Sequence, residues 1–218
     1  HLAWRRILAS TIYDTKDRLG LRIFSAKTEE HIKNLCDELV NEQFFPSPPY
    51  FLHNPKDDKA IRFHTFLQIR DRIVYQAIGN IIIENCYSDI VEYADKTIFA
   101  HIPQSRNKDG SYKKFSFRRP FTQVLPNGSS KKGQYEKFLD AVFSDMKKGA
   151  QQDDFWMLET DIALFYPSID HKLLKEMLVR RKWLKDERLI NLLMDCLQTW
   201  SALEPERSSG QGVPIGHE

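Results

Sequence analysis

Apolar residues recur at helical spacing along most of this chain, and a few short runs break that period. A first helix is predicted over about Leu2 to Leu19. A second is predicted over Thr28 to Phe44, with Thr28 as its N-cap and Glu29 and Glu30 in the first turn, where negative charge meets the positive end of the helix dipole. Pro46, Pro48 and Pro49 end it. Lys59 to Phe66 alternates enough to be a strand. It leads into a helix over Arg70 to Glu84 with Ile73, Val74, Ala77, Ile78 and Ile81 on its apolar face, widened by Ile82 and Ile83. From Tyr135 to Lys148 the apolar positions return to helical spacing, so Phe138, Phe143 and Met146 read as core rather than as a binding stripe. Two further helices are predicted near Asp170 to Lys182 and Asp186 to Trp200, and the polar stretch Glu204 to Gly212 reads as a mobile loop.

One run departs from the helical pattern in a way that suggests chemistry. Phe155, Trp156, Met157, Leu158, Ile162 and Ala163 form a mostly apolar segment of strand length, followed by Pro167, Ser168 and Asp170, which supply a turn and helix-capping side chains. Asp161 then falls where buried strand gives way to loop. A carboxylate in that position is costly unless it is paired, hydrogen-bonded or bound to a metal, so Asp161 is a candidate functional residue, with a capping or salt-bridged aspartate as the plain alternative. Other acidic clusters are weaker. Tyr93–Lys96 reads as a helix end or turn, and Asp57–Asp58 and Asp153–Asp154 lie in polar, loop-like surroundings.

Composition changes the picture only modestly. With 41% hydrophobic residues in 218, the chain can bury a core of one or two domains. No apolar run approaches the roughly 20 residues that span a bilayer, so no membrane partner is expected. Cys36, Cys86 and Cys196 are widely spaced, without a CxxC pair, and read as reduced core residues of a cytoplasmic protein. The formal net charge is only +2, but between Gly110 and Tyr135 there are six lysines or arginines and no acid. Lys113, Lys114, Arg118, Arg119, Lys131 and Lys132 alternate there with Tyr112, Phe115, Phe117 and Phe121, a mixture suited to neutralising phosphates while stacking on bases. The same residues around the Pro126–Ser130 turn also fit a solvated loop.

Three blocks then resemble one family. TDIALFYPSIDH, at Thr160 to His171, is similar to the first catalytic motif of reverse transcriptases, an aspartate followed by a hydrophobic residue and, five positions on, an aromatic. RFHTFLQIRDRIVYQAI, at Arg62 to Ile78, resembles the fingers segment of bacterial and group II intron reverse transcriptases, in which an arginine precedes an RDRIVQ-like element by eight residues, as Arg62 precedes Arg70. GQGVPIG, at Gly210 to Gly216, resembles the loop whose glutamine and glycine lie against the templating pair in those enzymes. The resemblance covers about Pro49 onward and leaves roughly the first fifty residues without a motif. QGVPIGHE and the ET before DIALFYPSIDH favour the bacterial abortive-infection and antiphage-defence type over the group II intron and retron types.

What the resemblance implies is an α+β fold: fingers and partial palm of a polymerase right hand, helix-rich with a small antiparallel sheet. Residues 1–50 would be an N-terminal helical region, 51–150 fingers and 151–218 the first part of the palm. The family's aromatic-x-Asp-Asp hairpin does not follow the glutamine-glycine loop here, so the expectation is a fragment, inactive alone, that relies on the rest of the palm and a C-terminal domain. The implied reaction is in-line attack of a primer 3′ hydroxyl on the α-phosphate of a deoxynucleoside triphosphate, with RNA or DNA as partner and two magnesium ions, or manganese, as cofactor. Asp161 and the Ile162 carbonyl would be metal ligands. Arg62 would grip the triphosphate with Lys59 assisting, Tyr166 would exclude a ribose 2′ hydroxyl, and Gln211 and Gly212 would lie against the nascent pair. Arg70 and Arg72 flank Asp71, and at least one of the two reads as structural. His171 reads as a first-turn helix residue rather than a base. A nucleic-acid-binding module without catalysis is the alternative from another class.

Overall fold

The computed structural model describes residues 1–9, 17–55, 61–104, 106–111, 113, 117–119, 121–152, 154–162, 165–201 and 210–214, with backbone alone at 53–54 and 61–63. Its elements are helix-rich with two small antiparallel sheets, an α+β class. In order they are α1 (Leu2–Ala9), α2 (Arg18–Ala26), α3 (Thr28–Val40), β1 (Tyr50–Pro55), β2 (Ile61–Phe66), α4 (Ile69–Val91), β3 (Gln123–Val124), β4 (Ser130–Lys131), α5 (Gln134–Gly149), a single 3-10 turn (Tyr166–Ser168), α6 (His171–Arg180) and α7 (Glu187–Ser201). They divide into two compact units, His1–Ile82 with Leu164–Glu218, and Ile83–Ala163.

The first unit is built on buried side chains from α1 to α4, α6 and α7. Trp4, Phe24, Leu35, Val74, Leu178 and Trp200 are all in its core, and each aliphatic or aromatic side chain removed from water stabilises the fold by about 1.5–3 kcal/mol. Trp200 packs edge-on against Tyr75, ring centroids 5.3 Å apart. Burial, with Tyr166 nearby, pushes the Tyr75 hydroxyl up to about 12. Asp71, in the first turn of α4, accepts the Ser47 N–H at 2.9 Å and so ties the proline-rich stretch to the helix. Its carboxyl is held above the ordinary value because burial disfavours the charge. Arg70 pairs with Glu38 and lies over the Phe44 ring, while Arg72 is buried, so both flanking arginines are built into the fold.

Capping decides where the helices begin. Asp17 accepts the Gly20 N–H at 2.7 Å, which starts α2 as a new helix where one helix running to Leu19 was expected. Thr28 is not an N-cap: its hydroxyl donates back to the carbonyls of Phe24 and Ser25, because α2 ends immediately before α3 begins. Asp170 accepts the Leu173 N–H at 2.8 Å and Asp186 accepts that of Arg188 at 2.9 Å, starting α6 and α7 where the sequence predicts them. The predicted strand forms as β2, paired antiparallel with β1 in the register Tyr50 to Phe66 through Pro55 to Ile61.

In the second unit α4 ends and a turn follows at Tyr93–Lys96, as the sequence suggests, with Asp95 at a φ of 59°. A β3–β4 hairpin turns at Pro126–Ser129, where Gly128 has a φ of 78° and Asn127 accepts from the Ser129 amide and hydroxyl. Two expectations fail here. Phe138, Phe143 and Met146 of α5 are exposed rather than core, because little in this unit covers that face of the helix. The segment 154–162 forms no strand, and Trp156 and Leu158 are 91% and 87% exposed. A buried strand needs hydrogen-bonding neighbours and an apolar layer over it, and among the described residues neither meets this run. Cys36 is likewise exposed, whereas Cys86 and Cys196 are buried as expected. Among the described residues no helix is long and apolar enough to cross a membrane.

Candidate functional site

The structure brings two of the motif blocks into register within the first unit. From the 3-10 turn into the start of α6, the chain pairs with residues 210–213: the Gly212 N–H donates to the Ile169 carbonyl at 2.8 Å, the Val213 N–H to the Tyr166 carbonyl at 3.1 Å, and the His171 N–H to the Gly210 carbonyl at 2.9 Å. Asp170 and Gln211 form an antiparallel bridge between them. Gly210 and Gly212 have φ values of 84° and 95°, left-handed backbone that side-chain-bearing residues rarely adopt, so this Gly-Gln-Gly needs glycine on conformational grounds. Tyr166 is thereby fixed beside the glutamine-glycine loop. Its ring sits edge-on to Phe165, centroids 5.3 Å apart.

His171 is the residue that sequence reasoning undervalued. It is buried, and its Nε2 lies 2.6 Å from the Gly212 carbonyl. A carbonyl oxygen only accepts, so this nitrogen carries the proton and donates. The side chain clamps the loop onto the start of α6. Its position directly after the capping Asp170 fits a first-turn helix residue, and nothing local in the sequence points to a partner 41 residues away.

Asp161 stands otherwise than expected. It is exposed, not at the end of a buried strand, and its carboxylate accepts the adjacent Ile162 N–H at 2.9 Å. Water reaches the carboxylate, so no burial cost marks Asp161 out, and only the motif does. The chemistry of the donors suits a hard cation, since a carboxylate and the Ile162 carbonyl offer only oxygen, and magnesium retains several waters and substrate oxygens beside one or two protein ligands. Among the described residues no cluster of three or more His, Cys, Asp or Glu is placed to hold a metal ion. Arg62 lies on β2 with its side chain outside the described residues, where Lys59 and Lys114 also fall.

The basic segment of the second unit is partly engaged in the fold. Arg118 and Lys137 both hold Asp95, at 2.8 and 2.9 Å, and the Lys137 hydrogen bond above all, with Arg118 adding to it, keeps that carboxyl below its ordinary value. Lys132 pairs with Asp140, and the Arg119 carbonyl accepts the Gln134 N–H at the start of α5. Lys113 and Arg119 are half-buried and have contacts of their own, whereas Lys131 is exposed on β4. The Lys137–Asp95–Arg118 cluster was not visible in the sequence, because its members are 42 and 23 residues apart. No protein-family profile matches this chain, and no curated protein matches it.

Proposed function

We propose that this chain is the nucleotide-selecting part of a reverse-transcriptase-type nucleotidyltransferase, of the antiphage-defence type, that extends DNA from deoxynucleoside triphosphates. The observation that carries this reading is the hydrogen-bonded pairing of the Tyr166–Asp170 segment with Gly210–Val213. Two segments assigned by resemblance to one nucleotide pocket meet there. In that reading the Tyr166 ring fills the space of a ribose 2′ hydroxyl, and the narrow Gln211–Gly212 backbone lies along the incoming base pair. Arg62, with Lys59, takes the triphosphate through charge-assisted hydrogen bonds. Asp161 and the Ile162 carbonyl would hold magnesium, which when bound would offset the negative charge of the phosphates and ease deprotonation of the attacking hydroxyl.

The test is incorporation of labelled deoxynucleotide by the full-length product of the gene, compared with its Asp161→Asn variant. Loss of a metal-binding carboxylate is expected to lower incorporation by at least about a hundredfold, with the helical circular dichroism unchanged. Incorporation at the wild-type rate by the variant would overturn the assignment and leave a binding module without catalysis.

A further inference from the structure

The second unit carries a row of aromatic rings that its fold leaves open. Tyr135 and Phe138 stand on the first turns of α5, with ring centroids 6.5 Å apart. Phe121 extends the row at 6.2 Å from Tyr135, and Phe99 closes it at 5.9 Å from Phe138. Phe121, Tyr135 and Phe138 are 47%, 52% and 43% exposed. The end pairs meet edge to face, with 61° and 62° between ring planes, and Tyr135 and Phe138 are tilted by 33°, so ring faces stand half in water rather than closing into a core. The flanking charge favours a polyanion. Lys131 and Lys132 directly precede the helix and are exposed, and of the acids nearby Asp140 is matched by Lys132 and Asp95 by both Lys137 and Arg118. Glu136 turns its carboxylate to the Thr122 N–H at 3.1 Å. A purely apolar protein partner would gain nothing from the lysines. Bases present a π-face to any ring, and phosphates seek the cations beside it.

We propose that Phe121, Tyr135 and Phe138 stack the bases of a single strand of nucleic acid whose phosphates lie beside Lys131. The surface extends the polynucleotide-synthesis reading by giving the strand a track, and its role in synthesis rests on that reading. Binding itself is measured without nucleotide or divalent ion, so failure of synthesis and failure of this surface are distinguishable.

The experiment is fluorescence anisotropy of labelled oligo-dT and oligo-U 20-mers with the purified chain in EDTA. Tyr135→Leu/Phe138→Leu keeps apolar bulk but removes the π-faces, and is expected to weaken binding by at least about tenfold, while Tyr135→Phe binds as wild type. Lys131→Ala is expected to flatten the dependence of log Kd on log salt by about 0.7, one phosphate contact on a single strand. Equal binding by the leucine pair overturns the proposal. So does failure of either oligonucleotide to bind while sedimentation shows wild-type dimers that the leucine pair dissociates, a result that assigns the face to a second copy of this chain.

Discussion

His171→Ala removes the side chain that clamps the glycine loop. The Nε2–H to Gly212 carbonyl bond, 2.6 Å long and buried, is lost, and the carbonyl is left without its donor. Leaving a buried acceptor unsatisfied costs about 1–3 kcal/mol, and truncating a buried imidazole adds about 1 kcal/mol of lost packing, roughly 2–4 kcal/mol together. The three backbone bonds between 166–171 and 210–213 remain, so the loop loosens rather than detaches. At about 4 °C per kcal/mol for a unit of this size, the melting transition should fall by roughly 8–16 °C. Tryptophan fluorescence reads it well. Trp4 and Trp200 are buried in the first unit, while Trp156 is already in solvent and changes little. Hydrogen exchange at the Gly212 and Val213 amides, which donate to Ile169 and Tyr166, should quicken by more than about tenfold. His171→Gln, which keeps an N–H donor, should recover part of both losses. A His171→Ala protein melting within about 2 °C of wild type, with those amides equally protected, would refute the clamp.

Two further predictions concern titratable groups. Cys36 is exposed, while burial pushes the thiols of Cys86 and Cys196 up to about 11 and about 12, so a maleimide should label one site quickly and the other two only after denaturation; rapid labelling of all three would contradict the burial. Asp95 is held below its ordinary value of 3.8 by Lys137 and Arg118, so its contribution to stability is present above that value and is lost as pH falls through the lower folded-state value. Asp95→Asn should therefore be less stable than wild type at pH 7, by no more than about 1 kcal/mol for so exposed a cluster, and in urea unfolding followed by circular dichroism the difference should begin to shrink as pH falls through 3.8 and disappear once the carboxyl is protonated in the folded state. A gap that stays constant through acid pH, including where wild type itself has lost its acid-sensitive stability, would mean that it does not arise from the ion pairs.

The elements that the sequence fixes by itself are those whose cause is local. Asp170 and Asp186 start α6 and α7 through hydrogen bonds to amides two or three positions on, and the Pro126–Ser129 turn closes through Asn127 and Gly128. Each depends on neighbours in the chain, so a pattern of residue types suffices to find it. The apolar periods of α5 to α7, and of α4 as far as Ile78, are legible for the same reason, whereas Ile81 is exposed and α4 runs past the expected end at Glu84 to Val91. Burial is different, because a side chain is buried only if something else in space covers it. The same helical period gives α7 a face closed around Trp200 and gives α5 a face open at Tyr135 and Phe138. The apolar run before Asp161 reads like a core strand, yet Trp156 and Leu158 stand in solvent, since strand pairing needs a partner that the run does not itself encode. Tertiary structure alone joined Tyr166 to Val213, clamped Gly212 with His171 and gathered Lys137 and Arg118 on Asp95, contacts whose spacing along the chain no local period records.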